Sequence, residues 1–68
     1  MSSPTYKKIE IVGTSNQSFS DAVANGIAKA AESIHGISWF EVGEQRGSVA
    51  DGKVQQFQVT LRVGFKVD

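Results

Sequence analysis

The chain has no cysteine, a single histidine, a single tryptophan and no net charge, seven basic residues balancing seven acidic ones. Without cysteine there is no disulfide, and one histidine with no thiol does not make a structural zinc site. The charges are interspersed, Lys7 and Lys8 being followed by Glu10 and Arg46 by Asp51. No basic stripe is left to track a phosphate backbone, so the electrostatic footprint of nucleic-acid binding is missing. There is no signal-peptide pattern and no apolar run long enough to cross a bilayer, which leads us to expect a cytoplasmic protein. The glycosylation acceptor Asn16-Gln17-Ser18 carries no meaning without secretion.

Catalytic chemistry is equally thin. No serine lies in a motif that would supply a base and an oxyanion hole. Gly13-Thr14-Ser15 lacks the spacing and the lysine of a phosphate-binding loop and reads as a turn. Glu10, Glu41 and Glu44 read as salt-bridge partners on a solvated face rather than as an acid–base pair. His35 is expected at a helix C-terminus, where a cation meets the helix dipole favourably.

What is present is a short, patterned chain of 68 residues, read as one domain over residues 1–68. A chain of this size buries only about 60% of the surface its unfolded form exposes. Small domains therefore tend to need a disulfide, a metal or a partner copy. With the first two excluded, oligomerisation remains.

Tyr6 to Gly13 alternates, with Ile9 and Ile11 on one side and Tyr6, Lys8, Glu10 and Val12 on the other, as in a half-buried strand. Ser18 is placed to cap a helix, with Asp21 three residues on. Phe19, Val23, Ile27, Ala30, Ala31 and Ile34 follow at spacings of three and four, one apolar stripe that Gly36 is expected to end. A second strand is expected from about Ile37 to Arg46, with turn chemistry at Gly47 and Asp51-Gly52. A third is expected from about Val54 to Val67. The order is β-α-β-β, an α+β subunit whose helix covers the apolar face of an antiparallel sheet. The third strand would span roughly 45 Å, and a helix of about sixteen residues only about 24 Å. Apolar side chains and a strand edge would project past the helix, a hazard unless paired. A closed symmetric oligomer would cover them.

Strand parity singles out Trp39. In the third strand Phe57, Val59, Leu61, Val63, Phe65 and Val67 share one face, and Gln56, Gln58, Thr60, Arg62 and Lys66 the other. Phe40 and Val42 are the natural core residues of the second strand, which sends Trp39 and Glu41 to the polar face with Gln58. Three readings are open for Trp39: core, if a bulge inverts the parity; a subunit-interface anchor; or a platform for a planar ligand. The carboxamide of Gln58 donates and accepts together, which suits a heterocycle edge carrying adjacent N–H and C=O groups. Arg46 suits either a phosphate, bidentately, or a stacked ring.

Over nearly its full length the chain resembles the dodecins, small flavin-binding proteins. Tyr6-Lys7-Lys8-Ile9-Glu10-Ile11-Val12-Gly13-Thr14-Ser15 is similar to that family's first strand and turn. Trp39-Phe40-Glu41-Val42, Arg46-Gly47, Phe57-Gln58-Val59-Thr60 and Val63-Gly64-Phe65 are similar to its second and third strands in order and spacing. The resemblance implies a three-stranded antiparallel sheet partly wrapped around one helix, assembled as a hollow spherical homododecamer. It implies paired flavins stacked at two-fold axes between symmetry-related copies of Trp39. Gln58 would hydrogen-bond the flavin's pyrimidine edge, and Arg46 would lie close to the ligand. The Trp39-Phe40-Glu41-Val42 and Arg46-Gly47 runs look bacterial, which favours FMN over riboflavin or FAD. Coenzyme A is a second ligand of some bacterial relatives, and no residue is assigned to it.

The expected function is a non-enzymatic flavin store that sequesters FMN and quenches its excited state, limiting photochemical damage. Two other classes stay open at this point: a small flavin-dependent reductase, and a flavin-free oligomeric scaffold in which Trp39 is interface glue.

Overall fold

The computed structural model of the protein describes residues 3–68. Its elements run β1 (Tyr6–Ser15), α1 (Phe19–Ala30), β2 (Ile37–Ala50) and β3 (Lys53–Lys66), in the order expected. The strands form one antiparallel sheet in the spatial order β1-β3-β2. The last strand in sequence is therefore the central one, and it carries the most regular apolar alternation. Val59, Leu61 and Val63 on its inner face are fully buried. Asp51 and Gly52 both have positive φ, 54° and 73°, and make the two-residue turn whose twist suits a right-handed hairpin. The second strand thus runs four residues further than the pattern suggested, and Gly47 lies within it, opposite Phe57, not in a turn.

A relay of small polar groups sets the start of α1. The Ser18 hydroxyl accepts the Asp21 N–H at 3.0 Å, as expected of the cap. The Asp21 carboxylate does not return to the Ser18 N–H as in a capping box. It accepts from the buried Ser15 hydroxyl at 2.7 Å, whose oxygen in turn accepts the Gln17 and Ser18 N–H groups at 2.9 and 3.4 Å. Asn25 adds a bond from its side-chain amide to the Thr14 carbonyl at 3.1 Å. The end of β1 and the first two turns of α1 are stitched together by side chains.

The helix is shorter than the apolar stripe implied. It has 12 residues, ends at Ala30 and is capped by Ala31 in a right-handed conformation. Gly36 has a positive φ of 74° but opens β2 instead of capping the helix. His35, exposed in the same turn, is correspondingly displaced from the helix end, where Lys29 is the basic residue of the last turn. The face set on the sheet is Ala22, Gly26 and Ala30, flanked by Phe19, Val23 and Ile27. The reason is a close crossing at Gly13 of β1. A Cβ on Gly13 would overlap the carbonyl oxygen of Ala22, and one on Gly26 would come within 3.0 Å of both the Gly13 Cα and a Leu61 methyl. Small residues at the crossing, and larger ones beside it, let helix and sheet backbones approach until Leu61 fills the space between them.

That crossing seats the helix on β1 and the central strand β3, away from β2. Phe40 and Val42, expected in the core, lie on the inner face opposite Val63 and Leu61 yet remain 48% and 42% exposed. Their face is right, but the helix does not reach them. Lengthwise the mismatch is as large as anticipated: about 18 Å of helix lies on a molecule 57 Å long. Phe19 and Phe57, edge to face at 4.9 Å, close the core at the helix N-terminus. Beyond them the hairpin continues, with Val49 and Val54 at 68% and 56% exposure. Among the described residues no helix is long and apolar enough to cross a membrane.

Replacing Gly13 by alanine should lower stability by about 1–3 kcal/mol, the usual cost of forced overpacking, because the obstacle is backbone and no rotamer relieves it. Urea denaturation at matched protein concentration reads this as a lower midpoint. An unchanged midpoint would mean that the helix rides higher than described.

Candidate functional site

The outer face of the sheet is polar, built in rungs across all three strands. Lys8 and Trp39 flank Gly64, Glu10 and Glu41 flank Arg62, and Thr14 and Arg46 flank Gln58. Directly paired residues project to the same side, so Trp39, Glu41, Gln58 and Arg46 share one face. Trp39 is thus not a core residue, and parity assigned its face correctly.

Arg46 reaches that face by a device the alternation does not show. Trp39 is odd-numbered and Arg46 even-numbered, so a regular strand would point them to opposite sides. Between Val42 and Gln45 the register slips, three steps along β2 matching two along β3 from Leu61 to Val59. This is a β-bulge, one extra residue at Gly43-Glu44, and it inverts the parity of everything after it. Arg46 is thereby delivered opposite Gln58, and exposed. The same bulge turns Gln45 toward the inner face, opposite Val59.

The indole of Trp39 lies flat on the sheet. A Cβ on Gly64 would overlap its Cδ2, Cε2 and Cζ2 atoms; three contiguous ring atoms mean that the ring's face, not its edge, covers the glycine. Tyr6 meets Trp39 edge-on, with ring centroids 6.4 Å apart and planes at 65°. One face of the indole therefore rests on backbone, Tyr6 packs against the ring, and the residue is still 37% exposed. That is the geometry of a stacking platform.

Next to it sits a charged cluster. Glu41 Oε1 accepts from Lys8 Nζ at 2.8 Å and from Arg62 Nε at 2.7 Å, and Arg62 Nη1 lies 3.4 Å from Glu10 Oε1. The Lys8 and Arg62 hydrogen bonds hold the Glu41 carboxyl below the usual glutamate range, and Glu41 in turn raises the already high Arg62 value. These groups read as the sequence suggested, as salt-bridge partners. They flatten and order the surface between the two ends of the face.

At the other end, Gln58 donates to the Gln56 carboxamide at 2.8 Å, which leaves its own oxygen and a second N–H uncommitted. Among the described residues Arg46 makes no ion pair. Arg46 and Gln58 are direct neighbours, but Trp39 is not near them. Its rung lies six residues along β3 from theirs, about 20 Å at the rise of a strand. One chain offers an aromatic platform at one end of the face and an amide–guanidinium pair at the other. Tyr6 and Gly64, which shape the platform, were not singled out as site residues from the sequence. The register pairing of Gly64 with Trp39 is the signal that finds them, and it needs the bulges to be placed first.

A crevice of about 290 Å³ lies elsewhere, between β1 and the C-terminal half of α1, lined by Ile11, Val12, Gly26 and Ala30 among others. It shares no residue with the Trp39 face. Among the described residues no group of three histidine, cysteine, aspartate or glutamate side chains is arranged to hold a metal ion.

Comparison with known proteins gives a consistent picture. The sequence model of the family described as Dodecin matches residues 5–68. The dodecin of Thermus thermophilus is 40% identical over 63 residues, covering 93% of this chain and 91% of that protein. The calcium dodecin of Mycobacterium tuberculosis is 34% identical over 62 residues, covering 91% and 87%. Among solved structures, the dodecin from Streptomyces davaonensis superposes with a TM-score of 0.93 at 45% identity, over 98% of each chain.

Because Glu41 is held below its ordinary range by partners present only in the folded chain, its contribution to stability is fully present above the ordinary glutamate pKa. It is lost as pH falls from there through the lowered value. Urea midpoints measured at neutral pH and in that acidic window should show a loss on acidification that shrinks in Glu41→Gln. An identical acid response in the variant would place the titrating group elsewhere.

Proposed function

The chain belongs to the dodecin family, and on that premise we propose that it is a non-enzymatic flavin store. It binds FMN, or a related flavin, in stacked pairs against Trp39 and quenches the excited flavin. The observation that carries this reading is the flat, backed and outwardly open indole on an otherwise polar face. An isoalloxazine laid on that surface is held by offset stacking. Its pyrimidine edge, with adjacent N–H and C=O groups, calls for a partner that donates and accepts together, as the free functions of Gln58 do. Arg46 beside it supplies a cation for a terminal phosphate. An indole in van der Waals contact with an excited flavin is also an electron donor, which accounts for quenching and for protection from photochemistry.

A flavin pair stacked between indoles asks for a second copy, since each chain has one tryptophan. A two-fold axis at the Trp39 end of the outer face sets two indoles across a slot. The exposed inner-face residues Phe40, Val42, Val49 and Val54 favour further association, and a homododecamer acting in the cytoplasm is the proposed form. The charged groups Lys8, Glu10, Glu41 and Arg62 of the outer face are engaged with one another in the ion-pair cluster, which supports binding over catalysis. A flavin reductase would need a flavin face open to a hydride donor, and stacked pairs between indoles leave none. Riboflavin and FAD are the alternative flavins; coenzyme A would need a separate site.

Titrating the protein into FMN, with particle mass measured on the same sample, tests the reading. Strong loss of flavin emission on a particle of about twelve subunits is expected. Unchanged emission on a large particle would instead make Trp39 an interface residue of a scaffold. Trp39→Ala should abolish most of the affinity while leaving the mass unchanged. Gln58→Ala should weaken binding by about 1–3 kcal/mol through unpaired polar groups on the ligand. Arg46→Ala should weaken FMN more than riboflavin, which lacks the phosphate; equal losses would assign Arg46 to the ring.

A further inference from the structure

Gly64 is the least explained residue of the outer face. It lies within β3, two residues before its end, and is paired on both sides, with Lys8 in β1 and Trp39 in β2. It has no positive φ, so its backbone does not require glycine, and a glycine inside a strand costs packing and entropy. What requires it is the space above. A Cβ at this position would lie within the van der Waals envelope of three Trp39 ring atoms, and those side-chain atoms are the three nearest neighbours it would meet. Gly43 is also hemmed in on this face, but a Cβ there would come no closer than 3.3 Å, to the flexible end of Arg62, and 3.4 Å to Thr60.

We infer that Gly64 is a positioning residue for the ligand platform: by having no side chain it lets the Trp39 indole sink flat onto the sheet, and so sets the height of the stacking surface. The inference rests on the flavin reading of the Trp39 face and goes beyond it by naming what fixes that surface. Carbon atoms at rest are roughly 3.5–4.0 Å apart. A methyl at position 64 therefore forces the ring up by about an ångström or more, or tips it on edge. Where two indoles face each other across a two-fold axis the displacement counts twice, and a slot matched to flat rings closes or loses its parallel walls. Tyr6 packs against the indole in a T-shaped arrangement and would be disturbed with it. The glycine acts at the ligand only through Trp39.

The test uses Gly64→Ala, Trp39→Ala and the double variant, with three measurements on each: near-UV circular dichroism, FMN dissociation constant and particle mass. Trp39 is the only tryptophan, so the indole band reports its seating without any ligand. Gly64→Ala is expected to keep the mass, change the indole band, and raise the FMN dissociation constant about tenfold or more, the scale of one lost aromatic stack. The double variant is expected to match Trp39→Ala in mass and far-UV spectrum, because the three atoms nearest to a Cβ at 64 all belong to the indole. A Gly64→Ala protein with wild-type indole band and wild-type FMN affinity would overturn the inference. So would a double variant that fails to fold or assemble where Trp39→Ala succeeds, since the glycine would then be serving the backbone. If the unmodified protein leaves FMN emission unchanged, the flavin reading fails on its own, and the indole band with and without Gly64→Ala still decides whether this glycine seats the ring.

Discussion

The crossing of α1 over β1 at Gly13 and Gly26 is the contact on which the rest of the architecture depends. Two glycines facing each other, with Ala22 and Ala30 alongside, bring helix and sheet backbones to a distance at which Leu61 fills the remaining gap. A crossing this tight has little freedom to move sideways, and it lies toward the β1 edge. The helix therefore covers β1 and β3, and the inner surface of β2 is left with Phe40 and Val42 half in solvent. The relay from Ser15 through Asp21 and the Asn25 bond to Thr14 secure the same junction from its polar side. The core that results is compact but short, and half of the hairpin extends beyond it.

Leaving the hairpin bare has a consequence on the opposite surface. The helix occupies only one side of the sheet, so the outer face stays free along its whole length. What would be an edge-to-edge hazard in a monomer becomes an invitation to pair. Opposite ends of this face carry complementary groups, an aromatic platform and an amide–guanidinium pair, with a charge-balanced cluster between them. Balance there matters: Glu41 shared by Lys8 and Arg62 leaves a nearly neutral middle, so two copies can approach without like-charge repulsion. Under the proposed flavin reading, function would belong to the assembly and not to one chain.

Fine placement on the face comes from departures from regular strand geometry. The bulge at Gly43-Glu44 turns Arg46 to the side of Trp39, and the missing side chain at Gly64 lowers the indole. Each change is small, one extra residue and one absent methyl, yet each decides whether a group is on the surface where a ligand would meet it. Bulges and strand glycines weaken a sheet locally; their concentration around Trp39 and Arg46 fits a surface shaped for binding.

The sequence by itself determined the element order, the faces of β1 and β3, the side on which Trp39 lies, the cap at Ser18 and the overhang of the hairpin. These follow from period-two and period-3.6 alternation and from turn residues, which are local properties of neighbours along the chain. It also carried enough of a resemblance to point to the family. What it did not determine was how much of an apolar face is covered. Phe40 and Val42 have the pattern of core residues and lack only a helix above them, and where the helix sits is decided by the Gly13–Gly26 crossing between segments far apart in sequence. The helix ended about a turn early, at Ala30, although Ala31 and Ile34 continue the spacing of the stripe. The face of Arg46 was illegible because a bulge is a mismatch in length between two paired strands, visible only once their register is known. Only the tertiary structure shows Gly64 beneath Trp39, because a glycine's role there is defined by the ring that occupies its empty space.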